Sequence, residues 1–370
     1  MNTTQIYTIV NSIVDQAIGD SGIVATDTQG LVSLGNVVLA SNNNTEAFLN
    51  TLAQRIGRTI YRYRAYNNKF TDMIVSDMEW GAILQKVRVE MPVAEADGQY
   101  GLVDGTSVDH YKVAKPKAHQ KLFVTRTPYQ FKITIQRDTL KEAFLSAEAM
   151  GSFIALVFGE VRNAIELSLE NLGRLTMAAA VSEASNATQV INLVTDYNAE
   201  TGSTLTAATA MHSADFLRYA IYRINNIVDM MQDMSVLYCD GVLPTFTNLE
   251  NMRVKVLSKF QRRLETMVDY AAFHDQFTKI DKQYTTVNFW QAEQSPAEID
   301  IKKPSDGSAF NLNNFVAVIH DRDAFGIYQI DEIVSTTPIN SAGLYYNEYW
   351  HLKQGRFVDT SESLVIFTLN

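Results

Sequence analysis

The side chains able to carry chemistry are few and scattered. The six histidines are His110, His119, His212, His274, His320 and His351. No two of them stand three or four residues apart, so no helix presents paired imidazoles to a metal ion. A single cysteine, Cys239, excludes an intrachain disulfide and any multi-thiolate zinc or iron–sulfur centre. The His-Glu-x-x-His and Gly-x-Ser-x-Gly patterns are absent, as are both glycine patterns that cradle phosphate. The densest cluster is His320-Asp321-Arg322-Asp323. It could supply a general base or a metal site, but the simpler reading is an acidic helix start with an internal ion pair. Tyr345-Tyr346 with Tyr349-Trp350 could stack bases or sugars; alternating aromatics in a strand more often pack on a neighbour. Cys239 reads as a buried packing thiol, and His274 and His351 as surface or interface residues. No catalytic residue, cofactor or metal is predicted.

Composition narrows the class further. The chain has 370 residues, 46% of them hydrophobic and 19% charged. That is ample for a core, and at roughly 100–200 residues per domain it predicts two or three domains. The formal net charge of −10 argues against a generic nucleic-acid binder. No apolar run approaches the ~18 residues of a membrane span. No Lys or Arg precedes Arg55, so the basic start of a signal peptide is missing. A soluble, cytoplasm-made, mixed α and β protein is expected.

The elements that would position any site follow from periodicity. Ile6, Ile9, Val10, Ile13, Val14 and Ala17 predict a helix over 4–17. Residues 20–44 read as a Gly/Ser/Asn-rich connection, and a second helix is expected from Thr45, its N-cap, to Tyr66, with a basic end at Arg55, Arg58, Arg62 and Arg64. Ile83 to Met91 predicts a strand, and Leu122 to Ile135 a returning one, joined by a polar stretch with turns at Asp97-Gly98 and Asp104-Gly105. From Asp138 to about Ala184 the apolar spacing is helical, a rod of roughly 60 Å that Gly151, Gly159 and Gly173 could bend. Residues 185–310 predict an α/β body: a helix capped by Ser213, strands at 235–238, 254–257 and 287–290, a helix from Lys259 to about His274, and a loop from Lys302 to Asn314. The last block predicts strands at 315–319, 330–335, 345–353 and 364–369 in one antiparallel sheet, with a short helix from Asp321 through Tyr328.

One segment departs from the average charge. Residues 81–137 hold nine basic and five acidic side chains, so they are +4 and the rest of the chain is −14. A two-stranded ribbon is marginal alone. A basic ribbon on an acidic body suggests association between copies; a solvated, lysine-rich edge that prevents aggregation is the plainer reading. Lys112, Lys115, Lys117, Lys121 and Arg126 are the candidate subunit-interface residues.

This order of parts resembles the HK97-type fold of tailed-bacteriophage major capsid proteins, an α+β fold. The run from Phe315 to Tyr328, with Asp321-Arg322-Asp323-Ala324 at its centre, resembles a segment near the C-terminus of such proteins. Residues 344–351 resemble the aromatic strand that follows it. The resemblance implies an N-terminal arm over 1–77, an extended E-loop over 78–137 that lies across a neighbour, a spine helix over 138–184, an axial domain over 185–314 and a return to the peripheral domain over 315–370. It implies a structural protein, not an enzyme, that self-assembles into pentamers and hexamers of an icosahedral shell. Its implied partners are copies of itself, a separate scaffolding protein (the arm begins almost at Met1), a portal protein and packaged double-stranded DNA bound without sequence specificity, but no membrane. The implied location is the virion, with assembly in the host cytoplasm. Some relatives crosslink Lys to Asn between subunits; here unlinked subunits are expected. An encapsulin-like cargo compartment, or a hydrolase or transferase centred on His320–Asp323, are the alternatives.

Overall fold

The computed structural model describes residues 3–19, 22–59, 66–77, 84–94, 100, 104–105, 107, 111, 113–184, 186–271 and 284–370. Helix α1 (Thr3–Ile18) buries Ile6, Val10, Ile13 and Val14, the stripe its spacing predicts. Where a connection was expected there is a helix, α2 (Thr28–Leu39). Asp27 caps it by accepting the Gly30 N–H at 2.7 Å, and Leu31, Leu34, Gly35 and Val38 face inward. Helix α3 (Asn42–Thr59) starts ahead of Thr45, which lies inside it and donates its hydroxyl to the Val38 carbonyl at 2.9 Å. The side chains of Arg55 and Arg58, and residues 60–65 altogether, lie outside the described part.

A single 3-10 turn at Thr71–Met73 leads into β1 (Ile74–Asp77), then β2 (Leu84–Val89), β3 (Ala118–Phe123) and β4 (Thr127–Gln136). The rod expected from Asp138 is two helices, α4 (Arg137–Ala143) and α5 (Ala147–Ser182). Ser146 makes the break by accepting the Ala149 N–H at 3.1 Å and capping α5 afresh. The 36 residues of α5 span about 54 Å without interruption at any of its glycines.

The body continues through β5 (Val190–Asn192), α6 (Leu193–Thr201), α7 (Ala207–Ala210) and α8 (Ala214–Met230), the last capped by Ser213 as expected. The strand expected at 235–238 is a turn with one bridge, Ser235 to Thr245. Then come β6 (Met252–Leu257), α9 (Ser258–Ala271) and β7 (Tyr284–Val287). The expected loop after Lys302 is half of a hairpin, β8 (Ile299–Lys302) with β9 (Ala309–Leu312). The final strands are β10 (Phe315–Asp321), β11 (Phe325–Thr336), β12 (Tyr345–Val358) and β13 (Leu364–Thr368). No helix follows Asp321. Its carboxylate accepts the Asp323 N–H at 2.8 Å and the Ala324 N–H bonds its carbonyl at 3.1 Å, so the chain turns and resumes as a strand.

Those last four strands do not share one sheet. β11 and β12 belong to a four-stranded sheet, β1-β11-β12-β4, while β10 and β13 belong to a five-stranded sheet, β5-β13-β10-β6-β7. Strand β4 therefore leaves the ribbon and pairs with β12 over ten residue pairs from Tyr345↔Gln136 to Gln354↔Thr127.

Two apolar cores correspond to the two sheets. One gathers α1 to α4, the first two-thirds of α5 and the inner face of β12 (Tyr346, Trp350, Leu352). The other gathers Met177 to Val181 at the far end of α5, α8 and the five-stranded sheet. Where α5 passes from one to the other, Glu170 and Arg174 form a buried ion pair, and the Arg174 guanidinium stacks 3.9 Å from the Phe289 ring and 5.2 Å from that of Phe70. Phe70 lies over Gly173, where a Cβ would stand 2.8 Å from the Phe70 Cβ. Beside it, buried Lys255 holds both oxygens of Asp72 at 2.6 Å.

Two outcomes follow for unassembled subunits melted by circular dichroism. Gly173→Ala should cost about 1–3 kcal/mol because the crowded atom is near the root of Phe70. Gly159→Ala, with open space around it, should stabilise α5 by up to about 1 kcal/mol. Glu348 on β12 gives a pH signature. It is fully buried, neither carboxylate oxygen has a hydrogen-bond partner, and burial raises its carboxyl to about 8. The fold then holds a proton that the unfolded chain releases above about pH 4.3, so stability falls as pH rises from there to about 8. Glu348→Gln should match the parent near pH 4 and melt several degrees higher at pH 8.

Candidate subunit interface

The ribbon owes its surfaces to strict alternation. Strands β2 and β3 pair antiparallel, with Leu84 opposite Phe123, Lys86 opposite Lys121 and Arg88 opposite His119. Successive side chains point to opposite faces, so these pairs share one face and Val87, Val89 and Leu122 share the other. The first face is turned to the chain's own body. Leu84 and Phe123 pack on Tyr328, Ile330 and Phe357, with the Phe123 and Phe357 rings 5.6 Å apart. The Tyr328 hydroxyl donates to the Thr125 carbonyl at 2.8 Å.

Beyond those aromatics the seated face is charged. Lys86 pairs with Asp359 at 2.9 Å and Glu362 at 2.5 Å, and Lys121 with Asp359 at 2.8 Å and Asp240 at 3.4 Å. Arg88 donates to the Ser361 carbonyl at 2.9 Å and lies 3.8 Å from Glu362. Asp359 is the hub: its side chain is wholly buried, and it also accepts the Ser361 hydroxyl at 2.6 Å. Burial alone would raise its carboxyl, but the bonds from Lys121 and Ser361 and the nearby Lys86 charge prevail and hold it at about 2. Burial would likewise lower the Lys86 pKa; Glu362 and Asp359 overcome it and raise it.

The opposite face is apolar and open. Val87, Val89, Met91, Leu122 and Val124 are all more than half exposed, and further out Val93 is 87% and Val113 76% exposed. Folding thus turns the ribbon's polarity over: ions sit against the body and hydrocarbon faces water.

The five candidate residues have different fates. Lys121 is committed to its own chain. Lys117 is exposed and 3.5 Å from Glu90, itself 2.8 Å from His119. Lys115 is exposed beyond the strands, Arg126 is exposed between β3 and β4, and Lys112 lies outside the described residues. The charge complementarity expected between copies is met inside one chain for Lys86, Arg88 and Lys121. Asp240, Asp359 and Glu362 were not singled out by sequence reasoning, because nothing in their local spacing marks them as a cluster. The alternation of Leu84, Lys86 and Arg88 with Gln85, Val87 and Val89 was the available signal.

The other motifs are structural. His320 is buried, its ring against Phe325 at 4.2 Å with Nδ1 2.9 Å from the Asp321 carbonyl; burial first, then the Lys255 charge, lower its pKa to about 4. The aromatic run divides across its sheet, Tyr346 and Trp350 in the core and Tyr349 outside under Lys132. Cys239 is buried, His351 is exposed beside Tyr349, and His110 and His274 lie outside the described residues. Among the described residues no group of three His, Cys, Asp or Glu could hold a metal ion, and no helix is long and apolar enough to cross a membrane.

A family model described as "Phi29-like phage major capsid protein" matches residues 10–368. The chain belongs to the Phi29-like phage major capsid protein family. The major capsid protein of Bacillus phage PZA is 22% identical over 372 residues, which cover 99% of this chain and 74% of that one. Among solved structures, the capsid of Staphylococcus phage Andhra superposes with a TM-score of 0.54 at 12% identity, over 85% of this chain and 87% of that one. The capsid of cyanophage P-SCSP1u does so with a TM-score of 0.50 at 13% identity, over 84% and 90%. The fold is HK97-like α+β, and the role of this capsid protein is structural: it is a shell subunit of a phage virion.

The ion cluster predicts a localised effect. Because the folded Asp359 carboxyl lies below the unfolded value of about 3.9, its stabilisation is full above about pH 4 and is lost as pH falls through about 2. Asp359→Asn should loosen the ribbon at neutral pH. Hydrogen exchange should quicken roughly tenfold or more across Leu84–Val89 and stay unchanged in β10, if the ribbon opens as its own unit.

Proposed function

We propose that this subunit forms the pentamers and hexamers of an icosahedral shell around double-stranded DNA, with the 78–137 excursion of each copy clamped on the next. The carrying observation is the inverted ribbon, whose charged face is seated while its apolar face meets water. Removing that face from water gains about 25 cal/mol per Å², and the body beneath is already occupied, which supports a cover supplied by another copy. Rotation-related copies passing an arm forward close into rings.

In this reading residues 1–77 are the arm, 78–137 the E-loop, 138–184 the spine, 185–314 the axial domain and 315–370 the return to the peripheral domain. The sheet pairing supports one refinement: β10 and β13 side with the axial sheet, and β11 and β12 with the peripheral one. A separate scaffolding protein and a portal protein complete assembly, in the host cytoplasm. The net acidic surface limits sticking to the packaged genome, which is held without sequence readout.

Replacing residues 92–116 with an Asn-Gly turn keeps β2 and β3 and removes the outer excursion. The variant should remain a folded subunit with near-native circular dichroism and make no shells when scaffold is supplied, as seen by electron microscopy. Shells at the parent's yield would end the clamp reading.

A further inference from the structure

We infer that the loop between α8 and β6, residues 231–251, receives the returning leg of a neighbouring copy's excursion, residues 113–117. The inference rests on the shell reading above and names the contact that the reading leaves open.

The loop is firmly tied yet apolar outside. The Ser235–Thr245 bridge has N–H to carbonyl distances of 3.0 and 2.9 Å, and Thr247 donates its N–H to the Met231 carbonyl at 2.8 Å. Asp240 donates its N–H to the Thr360 carbonyl at 2.9 Å, and the Leu364 N–H reaches the Tyr238 carbonyl at 2.8 Å. Tyr238 and Cys239 anchor it from within. Alternation about the bridge turns Ser235 and Thr245 inward and sets Met234, Val236 and Phe246 on the outer side. These three, with Leu237 and Val242, are all exposed, Val242 by 63%. A tethered backbone carrying outward hydrocarbon loses little freedom on association.

Charge identifies the occupant. Between Arg223 and Arg253 there is no Lys or Arg, while Asp229, Asp233, Asp240 and Glu250 all fall there; Asp240 is already paired with Lys121 of its own chain, which leaves Asp233 and Glu250 as the carboxylates of the loop open to a partner. From His110 to Gln136 there is no Asp or Glu, while five lysines and Arg126 fall there, and Arg137 closes the run. The outgoing leg of the excursion carries Glu90, Glu95, Asp97, Asp104 and Asp109 and does not suit the loop. The returning leg does: Val113 is 76% exposed, and Lys115 and Lys117 beside it are exposed. The loop of the same chain is not its seat, since Val113 and Val242 both remain open to water when that chain is folded. The exposed leucines of α5, Leu156, Leu167 and Leu175, offer no rival seat, being single side chains about 16 and about 12 Å apart along the helix. Two different surfaces meeting head to tail are what a ring of copies requires.

The test uses particles assembled with scaffold from a mixture of normal and nitrogen-15 chains, with photoreactive benzoylphenylalanine replacing Phe246. Irradiation should give mixed-isotope adducts that map to residues 110–121. Adducts confined to one chain, to another segment of the neighbour or to another protein, or no adduct in well-formed particles, would overturn the contact and leave the shell reading standing. Failure of the unmodified chain to form particles under the same conditions would overturn both. A charge test stands beside it. Asp233→Lys with Glu250→Lys should cut particle yield roughly tenfold at low salt, and adding Lys115→Glu should restore it, since opposite charges then face each other again. A folded triple variant without recovery also overturns the contact.

Discussion

The constraint on which the structure depends is that one helix belongs to two cores. Residues Met150 to Leu169 of α5 are packed among α1 to α4 and the four-stranded sheet, and Met177 to Val181 among the strands of the other sheet. A continuous helix is stiff over this length, so the distance and rotation between the cores are set by its geometry. The crossing is reinforced where apolar packing thins out. Glu170, Arg174, Phe70 and Phe289 fill it with an ion pair sandwiched between rings. The chain entering the ribbon is held there too, by Phe70 over Gly173 and by Asp72 on Lys255. The ribbon therefore starts from a fixed point.

Charges at the ribbon's base act on direction more than on stability. Burying Asp359 with two lysines carries a desolvation penalty that can equal or exceed the Coulombic gain. A few alternative hydrocarbon pairs at Lys86 and Lys121 would serve adhesion as well. They would not distinguish the two faces of the ribbon, however, because the outer face is itself hydrocarbon. Ions on one side and valines on the other permit one orientation only, and it leaves the apolar face outside.

The sequence disclosed elements whose signals are local. Ser213 before an amphipathic run marked α8, and the buried run Phe315 to Ile319 marked β10. It hid α2 because Gly30, Gly35 and Asn36 look like connection; Gly35 is there because a Cβ would stand 2.6 Å from the Phe144 Cβ. It suggested a helix at Asp321-Arg322-Asp323 because a side-chain cap is common to helix starts and tight turns, and only the ladder beyond Phe325 decides between them. Strand existence was legible, but sheet membership was not: β4 finds β12 and β13 finds β5 across stretches of chain longer than any periodicity can report. The ribbon's seat on its own chain was half legible. Its basic side lay in one run of sequence, whereas its acidic side was gathered from Asp240, Asp359 and Glu362.

The place of β13 has a bearing on synthesis. It lies between β5 and β10, parallel to one and antiparallel to the other, so the five-stranded sheet is two separate fragments until residues 364–368 have been translated. The helices around α1 can collapse early, as local contacts do. The half that carries the 231–251 loop cannot, and Asp359 and Glu362 also emerge late. A nascent chain on the ribosome thus displays the ribbon before it owns the seat for it. On a polysome crowded with identical nascent chains, this delay leaves one edge of β10 and the ribbon's basic face without partners until residues 364–368 have been made, an interval in which pairing between chains competes with folding.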